Sequence, residues 1–244
     1  MLTQYQLTLF PDRSCRPRPE WGYRLYAALL EEVPASFGAG AHRDGVTPVS
    51  QFLTIRDDSL LWTVSLLGED SESALCPVLE RAERFHLQKD GVVLSVQGRQ
   101  VKKIPDVDEL LARGAAHSGT HRLRFCTATA FKSRGQYLNL PTGRLIVQSL
   151  IKKWNGCFPD CPIEDDGGEG MEALAAGLRC KQFQLRDRMY YLKGSSIPGF
   201  VGELTLENRL GGFHRQLAGA LLLFSAYAGI GIKTTLGMGG VQTE

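Results

Sequence analysis

Polar and apolar positions alternate at the start of the chain, with Gln4 and Gln6 set against Tyr5, Leu7 and Leu9. That period of two predicts a half-buried strand over 2–10. A Pro/Arg break follows, and from Glu20 the period changes. Trp21, Leu25, Ala28, Leu29 and Val33 fall on one helical face, which Pro34 closes. Residues 35–45 form a small-residue loop. Two strands, 49–55 and 60–67, are joined by the tight turn Arg56-Asp57-Asp58-Ser59. Ser71 is placed to cap a helix running to about Arg84, and 85–101 reads as further strand turning at Asp90-Gly91. Strand, helix, strand, strand, helix, strand is the order of a ferredoxin-like unit.

A connector over 104–119 carries a short helical piece at 106–112. The order then repeats more loosely. A strand is predicted at 122–130 and a helix at 142–154, followed by a Gly/Pro/Asp-rich loop over 155–170 and a short helix near 171–176. Strands follow at 178–185, 189–192 and 200–206. An apolar helix over 210–227 leads to a last strand at Val241. The fold class expected is α+β, two tandem ferredoxin-like domains over 1–113 and 114–244. The resemblance between the halves lies in element order, since no sequence repeat accompanies it.

Composition narrows the picture only slightly. The 244 residues are 43% hydrophobic and 22% charged, as in an ordinary globular protein, and the net charge of +2 argues for no partner by itself. Its distribution is uneven. Between His121 and Asn155 stand Arg122, Arg124, Lys132, Arg134, Arg144, Lys152 and Lys153 without a single Asp or Glu. The six cysteines lack the spacing of a disulfide framework, so reduced thiols in a cytoplasm are expected. Cys157 and Cys161 have no second Cys/His pair at zinc-finger spacing, and His117 and His121 flank a glycine in a connector. No metal and no cofactor are expected. No apolar run approaches the roughly 18 residues of a membrane span. No Ser/His/Asp elbow is present.

The stretch with most chemistry is 229–240, where Gly229, Gly231, Gly237, Gly239 and Gly240 surround Lys233, Thr234 and Thr235. Glycines that tolerate positive φ and expose successive amides make a nest for phosphate. The spacing fits neither a Walker loop nor a dinucleotide fingerprint. A phosphate backbone running past suits it better than a nucleotide held at its end, while a plain Gly-rich turn accounts for the spacing as well.

The run Gly-x-Gly-x-Lys-Thr-Thr-x-Gly-Met-Gly resembles the glycine-rich loop of the RAMP superfamily, and most closely that of the CRISPR repeat-processing endoribonucleases. Three further segments resemble that family: the helix 23–30 followed by a histidine and Thr47-Pro48-Val49-Ser50; the strand Leu123-Arg124-Phe125-Cys126-Thr127-Ala128-Thr129-Ala130-Phe131-Lys132; and Ile197-Pro198-Gly199-Phe200-Val201-Gly202-Glu203. Ala128 departs from the family by standing where a proline is common. The resemblance implies two ferredoxin-like domains in tandem and cleavage of precursor CRISPR RNA. It places the catalytic histidine at His42, with Arg24 and Tyr26 on the preceding helix. Arg43, Arg122, Arg124, Lys132, Arg134, Gly229, Gly231, Lys233, Gly237 and Gly239 are expected to hold RNA. RNA supplies its own 2′-OH nucleophile, so a histidine titrating near pH 6.5 beside a fixed cation or hydroxyl suffices for strand scission without a metal. The products implied are a 2′,3′-cyclic phosphate and a 5′-OH. The partners implied are CRISPR repeat RNA, a CRISPR effector complex and a second copy of the chain. The rival reading is a RAMP-type RNA-binding subunit without cleavage.

Overall fold

The computed structural model describes residues 1–12, 15–33, 37, 48–56, 59–117, 119–165 and 167–244. The first half comprises β1 (Leu2–Pro11), α1 (Trp21–Glu31), β2 (Val49–Arg56), β3 (Ser59–Leu67), α2 (Glu69–Arg81), β4 (Arg84–Leu87) and β5 (Val92–Ile104). Its strands pair antiparallel in the order β2-β3-β1-β5-β4. That is the ferredoxin-like order with the fourth strand doubled into a hairpin. One face of the sheet is closed by α1 and α2 around Tyr5, Leu7, Leu25, Leu29, Trp62 and Leu75. Ser71 is not the cap of α2. The helix begins two residues earlier, after Gly68, and the Ser71 hydroxyl donates back to the Gly68 carbonyl. Glu69, Asp70 and Glu72 in the first turn suit the positive helix end, so no side-chain cap is needed.

The second half comprises α3 (Val107–Ala116), β6 (Thr120–Thr129), the hairpin β7 (Phe131–Ser133) and β8 (Gln136–Leu138), α4 (Gly143–Cys157), α5 (Glu169–Gly177), β9 (Leu178–Leu192), β10 (Ser195–Asn208), α6 (Gly212–Ala228) and β11 (Val241–Thr243). Asp106 and Thr142 cap α3 and α4 through their side-chain oxygens, as their residue types favour. The main sheet has the order β11-β6-β10-β9, again ferredoxin-like. The expected break between 185 and 189 does not exist. β9 and β10 form one long hairpin turning at Lys193-Gly194, both at positive φ. Arg186-Asp187-Arg188 interrupts the apolar pattern because β9 is an edge strand with almost every side chain exposed, not because the strand ends.

Leu2, Leu67 and Ile104 from the first half pack in one core with Phe125, Trp154, Phe200 and Phe224 of the second. α3 crosses α6 at Gly114 and Gly219, where a Cβ on either would come within 2.3 Å of the other backbone. No helix among the described residues is long and apolar enough to cross a membrane, and all six cysteines are free.

Candidate nucleic-acid interface

α6 ends at Ala228 and the chain turns through Gly229, Gly231, Lys233, Gly237 and Gly239, all at positive φ. The expected nest of bare amides is largely absent, because the loop spends its donors on its own closure. Ile230 N–H donates to Gly239 O, Ile232 N–H to Ala130 O, Gly239 N–H to Ala128 O, and Leu236 and Met238 N–H to Lys233 O. Gly231 N–H donates to Ser149 Oγ at 2.8 Å and Gly240 N–H to Thr127 Oγ1 at 2.9 Å. Buried amides must find partners, and here they tie the loop to β6 and α4. The loop is a fixed wall that borders two concave surfaces.

The larger is a groove of about 980 Å³ between the end of β2 and the open face of the second sheet. Leu123 and Phe125 point into the core, so alternation turns Arg124 and Cys126 to the opposite face, alongside Arg186 and Arg188 of β9. Arg56 from β2 completes a set of four arginines, against Glu20 and Glu203. Tyr190 and Tyr191 also line the groove, and the Tyr190 hydroxyl donates to Leu236 O. Burial pushes the Cys126 thiol up to about 11, against the lowering influence of Arg124 and Arg56.

The smaller is a pocket of about 410 Å³ between α4 and loop residues 231–235, bounded by Lys132 of β7, Gln148, Ser149, Lys152 and Lys153 of α4, and Lys233. The Lys153 amine donates to Ala228 O at 3.0 Å, Gly229 O at 2.9 Å and Thr234 Oγ1 at 3.4 Å, closing the carboxyl end of α6. Burial pushes this amine down to about 7.

The expected site residues are distributed as follows. His42 and Arg43 lie outside the described residues. The first residues of β2 are bonded to the end of α6 and to the glycine loop. Ser50 Oγ donates to Tyr227 O, and Gln51 Nε2 to Thr235 O at 3.0 Å. On α1, Arg24 and Tyr26 are about 200° apart around the axis and the structure does not bring them together. Arg24 pairs with Asp90 at the β4–β5 turn. Tyr26 is packed in the first core, where burial pushes its phenol up to about 12. Tyr23, by contrast, packs against the cluster of Ala128, Ala130, Tyr190, Leu192, Ile197 and Met238, to which Ile232 and Leu236 of the glycine loop also pack. Arg124 and Gly237 border the groove; Lys132, Gly231 and Lys233 border the pocket. Arg134 sits at the β7–β8 turn, and Arg122 is ion-paired with Glu244. Sequence reasoning missed Arg56, Arg186, Arg188 and the face of Tyr23. Arg186 and Arg188 stand two residues apart, which in an extended strand puts both on one face.

Two ferredoxin-like units in tandem, followed by a glycine loop, form the fold shared with solved Cas6 and RAMP proteins. The family model described as CRISPR-associated endoribonuclease Cas6 matches residues 123–241. A CRISPR-associated endoribonuclease Cas6 of Mycobacterium tuberculosis is 29% identical over 228 residues, covering 91% of this chain and 71% of that protein. One from Streptococcus thermophilus is 27% identical over 231 residues, covering 93% of each. A solved Cas6 product complex superimposes with a TM-score of 0.78 at 23% identity, covering 100% of this chain and 99% of that one. The second half of the chain thus resembles the Cas6 family of CRISPR repeat-processing endoribonucleases, and most of its length is similar to named members of that family.

Proposed function

We propose that the protein binds CRISPR repeat RNA and cuts precursor CRISPR RNA without a metal, with His42 as the central catalytic residue. The observation that carries the reading is the arginine-lined groove beside the glycine loop, in a chain whose residues 123–241 match an endoribonuclease family. The 2′-OH loses its proton and attacks the adjacent phosphorus. The P–O5′ bond breaks, and the leaving oxygen takes a proton. The products are a 2′,3′-cyclic phosphate and a 5′-OH. A histidine serves either proton transfer, a contribution of about 10²–10⁴-fold. Of the α1 groups, Tyr23 fits best, since it packs against a cluster that includes Met238 of the glycine loop, whereas Arg24 is held by Asp90 and Tyr26 by the core. The two halves, with their boundary proposed at 113/114 inside the connecting helix α3, divide the work: the first carries His42, and the second contributes most of the phosphate-binding surface.

The test is cleavage of labelled repeat RNA in excess EDTA by the native protein and by His42→Ala, with product ends identified. Expected is native cleavage to cyclic phosphate ends, reduced at least 100-fold in the variant with RNA affinity kept. Binding without cleavage by the native protein would overturn the enzyme reading. The second reading, an RNA-binding subunit of an effector complex, draws on the engagement of Arg24 and Tyr26 elsewhere and predicts that outcome. Replacing Tyr23, Arg24 and Tyr26 singly sorts the α1 partners, and only a groove-facing residue should lower the rate with stability unchanged.

A further inference from the structure

The pocket between α4 and the glycine loop is distinct from the groove. It is bordered by Lys132, Lys152, Lys153 and Lys233, and no carboxylate lines it among the described residues. Lys153 is already committed to closing α6. The other three have no ion-pair partner among the described residues, although Lys132 also lies 5.9 Å over the Tyr137 ring. Three cations around one concavity repel one another, and an anion at their centre relieves that repulsion. Gln148 and the Thr234 and Thr235 hydroxyls add neutral hydrogen-bonding groups, while Leu145 and Ile232 supply apolar wall. A cavity of about 410 Å³ suits a phosphate with its sugar and is too small for a duplex. The glycine loop contributes Gly237 to the groove and residues 231–235 to the pocket. A strand leaving the groove across the loop therefore meets the pocket next.

We propose that this pocket binds the phosphate and ribose of one nucleotide of the RNA strand, separate from those in the groove, so that the strand is fixed on both sides of the glycine loop. The inference rests on the RNA-binding reading above. Two tethered contacts flanking a rigid wall set the register of the strand, because occupation of one site raises the local concentration of RNA at the other.

The experiment is an equilibrium binding titration of the full chain with repeat RNA carrying a 2′-deoxy sugar at the cleaved nucleotide. The RNA is otherwise unmodified, or carries one neutral methylphosphonate at each linkage in turn. The native protein is compared with Lys132→Met/Lys152→Met, both exposed side chains, and with Arg186→Met/Arg188→Met in the groove. The pocket variant is expected to bind about 10-fold more weakly, with the salt slope reduced by about 1.4 for two lost contacts to a single strand. One neutral linkage that weakens the native protein should cost this variant nothing more, and a different linkage should be silent in the groove variant. Native affinity in the pocket variant, or the same silent linkage in both, overturns the pocket assignment while leaving RNA binding intact. If neither variant and no linkage alters affinity, the RNA-binding reading itself falls.

Discussion

β2 and β9 hold equivalent places in the two ferredoxin-like units, each at a sheet edge beside the third strand of its unit. Their surroundings are opposite. β2 is buried from Val49 to Leu53 because Val49 and Leu53 lie in the first core while Ser50, Gln51 and Phe52 meet the end of α6 and the glycine loop. The Phe52 ring occupies the space a Cβ on Gly240 would need, and Gln51 bridges Trp62 Nε1 and Thr235 O. β9 leaves Arg179, Lys181, Phe183, Arg186, Arg188 and Tyr191 exposed. An open edge with this much positive charge resists pairing with another copy of itself and attracts a polyanion, with aromatic faces available for bases. One fold element, used twice, gives a covered joint between halves and an open, positively charged edge.

If the covered edge is a joint, the loop that covers it should tolerate least change. Gly239 has φ +66°, and a Cβ there would lie 2.1 Å from Ile230 O and 2.9 Å from Thr234 Cγ2. Gly239→Ala is expected to lose about 3 kcal/mol of stability, a fall in Tm of roughly 10 °C. Gly194 at the β9–β10 turn also has positive φ, but nothing lies within 4 Å of its added Cβ. Gly194→Ala therefore carries only conformational strain, about 1 kcal/mol. Thermal unfolding of the two variants checks the contrast, and equal losses would show that the loop is not packed as described.

The open edge should behave in the opposite sense. Arg186→Gln/Arg188→Gln removes two exposed charges and no packing, so stability should stay within about 0.5 kcal/mol. RNA affinity should fall about 10-fold, and its salt slope by about 1.4. Parallel urea unfolding and RNA titration make the check. A variant that loses stability and keeps its affinity would make β9 a structural strand, and the comparison with β2 would collapse.

The difference between the two strands also explains what was legible beforehand. β1, β2 and β3 appeared within a residue or two of their true bounds, β1 because it alternates, and β2 and β3 because each is a largely buried apolar run closed by the polar turn between them. β9 was broken in two because charge sits on both of its faces. The glycine loop was recognised as a special backbone from residue types alone, yet its amides turned out to be engaged by Ala128, Ala130, Ser149 and Thr127, partners from remote segments that no local pattern announces. Arg56 and Arg124 were far apart in sequence and meet across the groove only through sheet topology. Tyr23 and Tyr26 look alike on a helical run, and the direction of each depends on which neighbour packs there.

The smallest expected effect concerns how the joint is fastened. Lys153 holds the start of the glycine loop through the Ala228 and Gly229 carbonyls, and burial lowers its pKa from the ordinary 10.5 to about 7. The lowered value means that the unfolded chain binds more protons than the folded one between about pH 7 and 10.5. Stability from this group is therefore absent below about 7 and rises with pH across that window, by up to about 1.4 kcal/mol per pH unit. Thiols raised by burial, Cys126 to about 11 and Cys157 to about 12, act in the opposite sense once unfolded cysteines ionise, so the clean interval is pH 7–8. Lys153→Met should lose the rise over that interval, in urea unfolding of both proteins at matched pH. An unchanged rise would assign the titration elsewhere. A stability that falls with pH in the native protein and not in the variant would mean that the helix-end carbonyls stabilise the ammonium more than burial opposes it.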